Sequence, residues 1–147
     1  MAGVLLTVHV VPVLNGRVVA FLLNAEKGPS GQWLPWTVLK HGSNPYEIAS
    51  ALVDEWCEGP MSDLRLVDVL SKQSEDGWEL SIVFRAELTS LPGDARGSPQ
   101  ACEPQNLADI HGFQAVDLKR WLEMASPSPK LQEAPTQASG DDPSLVF

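Results

Sequence analysis

The residues best placed to do chemistry are four acids, Glu47, Asp54, Glu55 and Glu58, gathered between Pro45 and Gly59. Carboxylate oxygens are the ligands that Mg²⁺ and Mn²⁺ prefer, and Mg²⁺ demands them in near-octahedral array. The four acids share a broad side of the segment, opposite an apolar stripe of Ala49, Leu52, Val53 and Trp56. That is the pattern of an amphipathic helix with a solvated face; a displaced cation site is the sharper alternative.

Other candidates are two aromatics and a scatter of polar groups. Trp33 and Trp36 are expected on one face of a strand or at its end. Together they would form a stacking platform for a base or a partner side chain; the plainer reading packs at least one into the core. His9, His41 and His111 lack metal-ligand spacing, and Ser43 and Ser50 lack an assignable base. Cys57 has no thiol-activating neighbour and reads as a buried structural thiol. Arg17, Lys40 and Arg85 could meet a phosphate or a partner, but surface solvation explains them equally well. Trp78 and Trp121 signal packing only.

Elements must position these groups. The runs 4–14 and 17–23 are β-branched and aliphatic, and Asn15-Gly16 between them is a hairpin signal because both residues tolerate positive φ. Pro12 suggests an end, a bulge or an edge in the first strand. Gly28 to Gly31 read as a loop and Gln32–Leu34 as a short strand. A helix then starts with Asn44 as cap, Pro45 at its first position and Glu47 as a capping-box acid, and stops at Gly59-Pro60. Leu64–Leu70 and Trp78–Leu88 read as strands joined by a polar turn, Ser71–Gly77. Residues 89–106 lack periodicity and are expected to form a mobile loop. Phe113–Val116 read as a short strand, with Asp117 capping a last helix through Met124. Residues 125–147 are rich in Pro, Ser, Gln and Ala, and disorder is expected there. Within them, Ser144–Phe147 is an apolar run that a PDZ-type groove could take as an added strand. The order of elements predicts an α+β fold around a mixed sheet.

Composition narrows the function classes. The net charge of −9 argues against broad nucleic-acid binding, which needs a basic footprint, but leaves room for a small phosphorylated ligand. No window approaches the roughly 20 apolar residues that span a bilayer, so no membrane association is expected. The apolar N-terminus lacks a basic flank and reads as a strand rather than a signal peptide. Two cysteines do not make a disulfide framework, and reduced thiols in a cytoplasmic or nuclear protein are expected.

Residues 31–59, GQWLPWTVLKHGSNPYEIASALVDEWCEG, resemble the box of the Nudix hydrolase superfamily, G-x5-E-x7-R-E-U-x-E-E-x-G-U. Leu34-Pro35 match its common lead-in, His41-Gly42 its inner turn, and Pro45 its helix start. Threaded without gaps, Thr37 and Ser43 stand at the first Gly and Glu, and Ala51 and Leu52 at the Arg-Glu pair. Val53 satisfies the aliphatic position, and Glu55 is the only retained box glutamate. Trp56 replaces its neighbour and Glu58 the terminal Gly. GFQAVDLKRWLE, near residue 112, resembles the family's strand-then-helix ending, so the likeness covers roughly residues 4–124. Glu103 and Asp109 lie where the family often adds an acid.

The resemblance implies a Nudix-like α/β/α sandwich in residues 1–124 and a tail in 125–147. It also implies a degenerate box, because family hydrolysis uses box glutamates to hold Mg²⁺ or Mn²⁺. The expected function is a catalytically inactive binding or scaffolding module without a cofactor. A protein partner or a small nucleotide-like ligand would bind at Trp36, Leu52, Glu55 and Trp56. The alternative is a divergent metal-dependent hydrolase of a nucleoside diphosphate derivative, with Glu55, Glu58 and Glu47 around Mg²⁺ or Mn²⁺. The residue pattern does not set an oligomeric state.

Overall fold

A computed structural model describes residues 3–23, 31–74, 77–94, 97–110 and 112–124. The expected tail, His111 and most of the loop at Gly28 to Gly31 fall outside the described residues.

Strand β1 (Gly3–Leu14) turns at Asn15-Gly16 into β2 (Arg17–Leu23). Both turn residues have positive φ, 51° and 77°, as the sequence suggests. Short strands β3 (Gly31–Trp33) and β4 (Trp36–Val38) flank Leu34-Pro35. Helix α1 (Pro45–Cys57) follows, then the long β5 (Met61–Ser74) and β6 (Gly77–Leu88), β7 (Ser98–Cys102) and α2 (Ala115–Leu122).

The sheet is mixed. β1 runs parallel to β6 from Gly3 to Val13, and the other pairings are antiparallel. β1 and β2 pair only at Val13 and Leu14, beside the hairpin, and then separate. Val18 pairs with both Val13 and Cys102, so β1 and β7 lie on opposite edges of β2. Phe21 and Leu22 pair with both β7 and β3, which puts β3 on the β1 side. The sheet therefore forks. β3 continues along β2, β4 continues along β1 through His9↔Trp36, and Leu34-Pro35 bridges the prongs. The Val10 N–H donates to the Pro35 carbonyl at 3.0 Å and holds the bridge in place.

Alternation along β1 separates two cores. Val8 and Val10 pack with Phe84 and Ala86 under Ala49, Leu52, Val53 and Trp56 of α1. Val11 and Val13 pack on the opposite face with Leu34, Val83 and Leu118, Trp121 and Leu122 of α2. The result is the expected α+β sandwich, one helix on each face of a mixed sheet.

Three elements differ from the sequence reading. Residues 89–106 include β7, which pairs along β2, and a 3₁₀ turn at Pro104–Asn106; backbone pairing builds this strand without an apolar alternation to announce it. β5 continues through Ser71–Ser74 because β6 pairs with it there, so most of the expected turn is strand. Phe113 makes only an isolated bridge to Ile110, and Gln114, not Asp117, occupies the cap of α2. Asp109 replaces the missing cap by accepting from the Ala115 N–H at 2.8 Å.

Candidate functional site

Helix α1 begins as the sequence suggests. The Asn44 side chain accepts from the Tyr46 and Glu47 amides at 2.8 and 3.3 Å, and Pro45 follows it. Its last residue, Cys57, is buried, and burial pushes the thiol up to about 12, so it is protonated at neutral pH. Glu58 then adopts a left-handed conformation, φ 55°, at the position where the Nudix box carries Gly. That conformation disfavours a side chain and suits glycine.

The four residues expected to bind a partner do not converge. Leu52 and Trp56 are 3% and 7% exposed and belong to the core beneath α1, where the Trp56 ring meets Phe21 edge-on at 5.4 Å. Their apolar character fills the helix–sheet interface rather than an open surface. Glu55 is exposed on the helix, while Trp36 sits across the sheet beside His9. The alternative metal set does not converge either. Glu47, Glu55 and Glu58 are exposed, and at about 1.5 Å per residue Glu47 lies about 12 and 16 Å along the axis from the other two. Among the described residues, no three His, Cys, Asp or Glu side chains gather into a group that could hold a metal ion. The donor set therefore does not fit the box-type Mg²⁺ or Mn²⁺ cluster.

A different site lies in the fork. A cavity of about 230 Å³ opens on the α2 face of the sheet, over the part of β1 that has parted from β2. Its walls include Trp33 and Trp36, whose rings stack at 6.5 Å and 21°. The bridge at Leu34-Pro35 brings these two together as the sequence suggests, and Trp36 keeps 38% of its surface exposed. The ring of His9 extends the stack, 6.1 Å from Trp36, and meets Phe113 edge-on at 4.8 Å. Lys72 donates to the Gly112 carbonyl at 2.6 Å and lies 4.3 Å over the Phe113 ring.

The floor is polar and ordered. Glu79 Oε2 accepts from the hydroxyls of Thr7 and Ser81, at 2.7 and 2.8 Å. His9 Nε2 lies 2.9 Å from Thr7 Oγ1. With the Thr7 proton committed to the carboxylate, His9 completes the chain as an Nε2–H donor. Burial, then the positive charge of Lys72, holds His9 near pKa 4 against the opposing pull of Glu79. The imidazole is thus neutral at pH 7. For Glu79, burial acts to raise the pKa, but the Thr7 and Ser81 hydroxyls and Lys72 outweigh it and hold the carboxylate ionised. This arrangement presents a fixed anion between flat apolar walls, with a cation across the cavity.

The sequence reading missed Thr7, Glu79, Lys72 and Phe113 and gave His9 no role. The signal was polar residues two apart inside apolar strands: Thr7 and His9 in β1, Glu79 and Ser81 in β6. Such pairs project from one face of a strand.

No family model and no curated protein matches the sequence. Solved structures do. The E. coli ORF135 protein aligns over 86% of this chain and 96% of its own at TM-score 0.62 and 10% identity. A MutT Nudix hydrolase from Burkholderia pseudomallei aligns over 84% and 99% at 0.61 and 14%. An Ap4A hydrolase from C. elegans, solved as a binary complex, aligns over 79% and 93% at 0.59 and 12%. At these identities the likeness is one of architecture. An alignment that spans most of each chain, on a mixed sheet with one helix on each face, gives this protein a Nudix-like fold.

Proposed function

We propose that this chain is a binding module that uses a Nudix-like fold to hold a small planar ring, such as a nucleobase, without the metal-dependent hydrolysis of the box. The observation that carries the reading is the stacked Trp33–Trp36 pair beside the Glu79 carboxylate in one cavity. Flat aromatic walls favour a π-system of any identity, and base–aromatic stacking contributes about 1–3 kcal/mol per base. An acceptor on Glu79 and a donor on Lys72 would orient a ring that carries both partners on its edge. The hydrolase architecture of the structural neighbours is consistent with a nucleotide-like ligand. Leu52 and Trp56, placed at box glutamate positions and buried, argue against the family's metal chemistry at α1.

The test is calorimetry and tryptophan fluorescence with a panel of nucleosides and nucleotides, on the wild type and on Trp36→Ala. Binding that Trp36→Ala weakens at least tenfold supports the module. A parallel titration with Mg²⁺ and Mn²⁺ addresses the hydrolase alternative. Metal binding abolished by Glu55→Gln, with turnover of a nucleoside diphosphate derivative, would overturn the reading.

A further inference from the structure

The described walls of the cavity carry one positive and one negative side chain, and the two belong together. Lys72 and Glu79 are cross-strand partners in β5 and β6, and the ammonium helps to hold the carboxylate ionised. Lys72 is also engaged within the protein, by the Gly112 carbonyl at 2.6 Å and the face of the Phe113 ring. His9 is neutral at pH 7. The described lining residues therefore sum to no net charge, in a chain that carries −9 overall. A phosphate chain entering here would meet repulsion, with no unbalanced cation among these residues to offset it. The mouth is apolar instead. Leu5 pairs with Glu79, lines the same cavity and is 47% exposed. Trp36 is 38% exposed, and Val38, 42% exposed, pairs with Thr7 and so projects from the same face.

Resting on the ring-binding reading above, we infer that the ligand is an uncharged heteroaromatic ring that bears an apolar substituent rather than a phosphate chain. The ring's N–H edge meets Glu79, and its substituent leaves the cavity over Leu5, Trp36 and Val38. An ionised carboxylate offers acceptors only, so it selects a ring edge that carries a donor. The Thr7 and Ser81 hydroxyls fix the orientation of that carboxylate before any ring arrives. At the rim, each methylene taken out of water tightens binding about fourfold.

The experiment is calorimetry on the full chain with adenine and guanine, their N9-butyl derivatives, their nucleosides and their nucleoside diphosphates, with and without Mg²⁺. For the base that binds, the butyl derivative should bind at least tenfold tighter than the nucleoside, and the diphosphate weaker than the nucleoside. Leu5→Ser and Val38→Ser should each narrow the advantage of the butyl derivative. A diphosphate that binds tighter than its nucleoside overturns the inference and leaves the ring-binding reading standing. So does a butyl derivative no tighter than the nucleoside, or an advantage that neither substitution reduces. Failure of every compound to bind overturns both.

Discussion

Acidifying the protein from pH 7 to 4 should remove stability through His9, and the size follows from its surroundings. His9 is 8% exposed and holds a pKa of about 4 against 6.5 for a free imidazole, chiefly through burial and then the charge of Lys72. Below pH 6.5 the unfolded chain takes up a proton at this residue that the folded chain refuses. Stability is therefore fully present above 6.5 and is lost as pH falls towards 4. Each pH unit in that window costs about 1.4 kcal/mol, for a total of about 3 kcal/mol. Glu79 and Asp68 have lowered pKa values and act in the same direction, but only below the ordinary carboxylate range, near 4.5 and 3.8. The interval between pH 6.5 and 4.5 therefore isolates the imidazole. Urea unfolding at half-unit steps, on the wild type and on His9→Gln, measures the slope directly. The wild type should lose about 2–3 kcal/mol more than the variant across this interval. Parallel curves, or a His9 proton resonance titrating near 6.5, would refute the account of the cavity floor.

Two further outcomes test the placement of side chains around α1. Trp56→Ala should cost about 3–5 kcal/mol in denaturant unfolding, because the indole fills the helix–sheet core, whereas Trp36→Ala should cost at most about 2 kcal/mol. Similar losses at both would undo the assignment of one to the core and the other to the cavity. Glu58→Gly should raise stability by about 0.5–1 kcal/mol, since glycine relieves the left-handed backbone at some entropic cost in the unfolded chain. A loss on this substitution would mean that the glutamate side chain contributes more than the strain.

What the sequence made legible was local. The Asn15-Gly16 turn, the Asn44-Pro45 helix start and the opposed stripe and acidic face of α1 depend on neighbours in the chain, and each has the expected form. The stripe also foretold the burial of Leu52 and Trp56, although their assignment to a binding surface did not follow it through. What stayed hidden depends on pairing across the sheet. β7 exists because β2 offers it an edge, and Asp109 caps α2 from outside the helix. The cavity joins residues 7, 9, 33, 36, 72, 79 and 113, which only the fork brings together. No periodicity within one strand encodes such a meeting.

The fork has a consequence for how the cavity and the scaffold share the work of holding together. Its floor rests on a ladder running from Gly3↔Gly77 to Val13↔Glu87, whereas each wall strand, β3 or β4, is held by three residue pairs. Short ladders open at far lower free energy than long ones, and they do so locally. The wall strands can therefore open locally while the floor stays folded, with Glu79 and its hydroxyls in position. Substitutions in residues 31–38 can likewise reshape the walls and leave the ladder intact, so the shape of the cavity can change while the architecture persists.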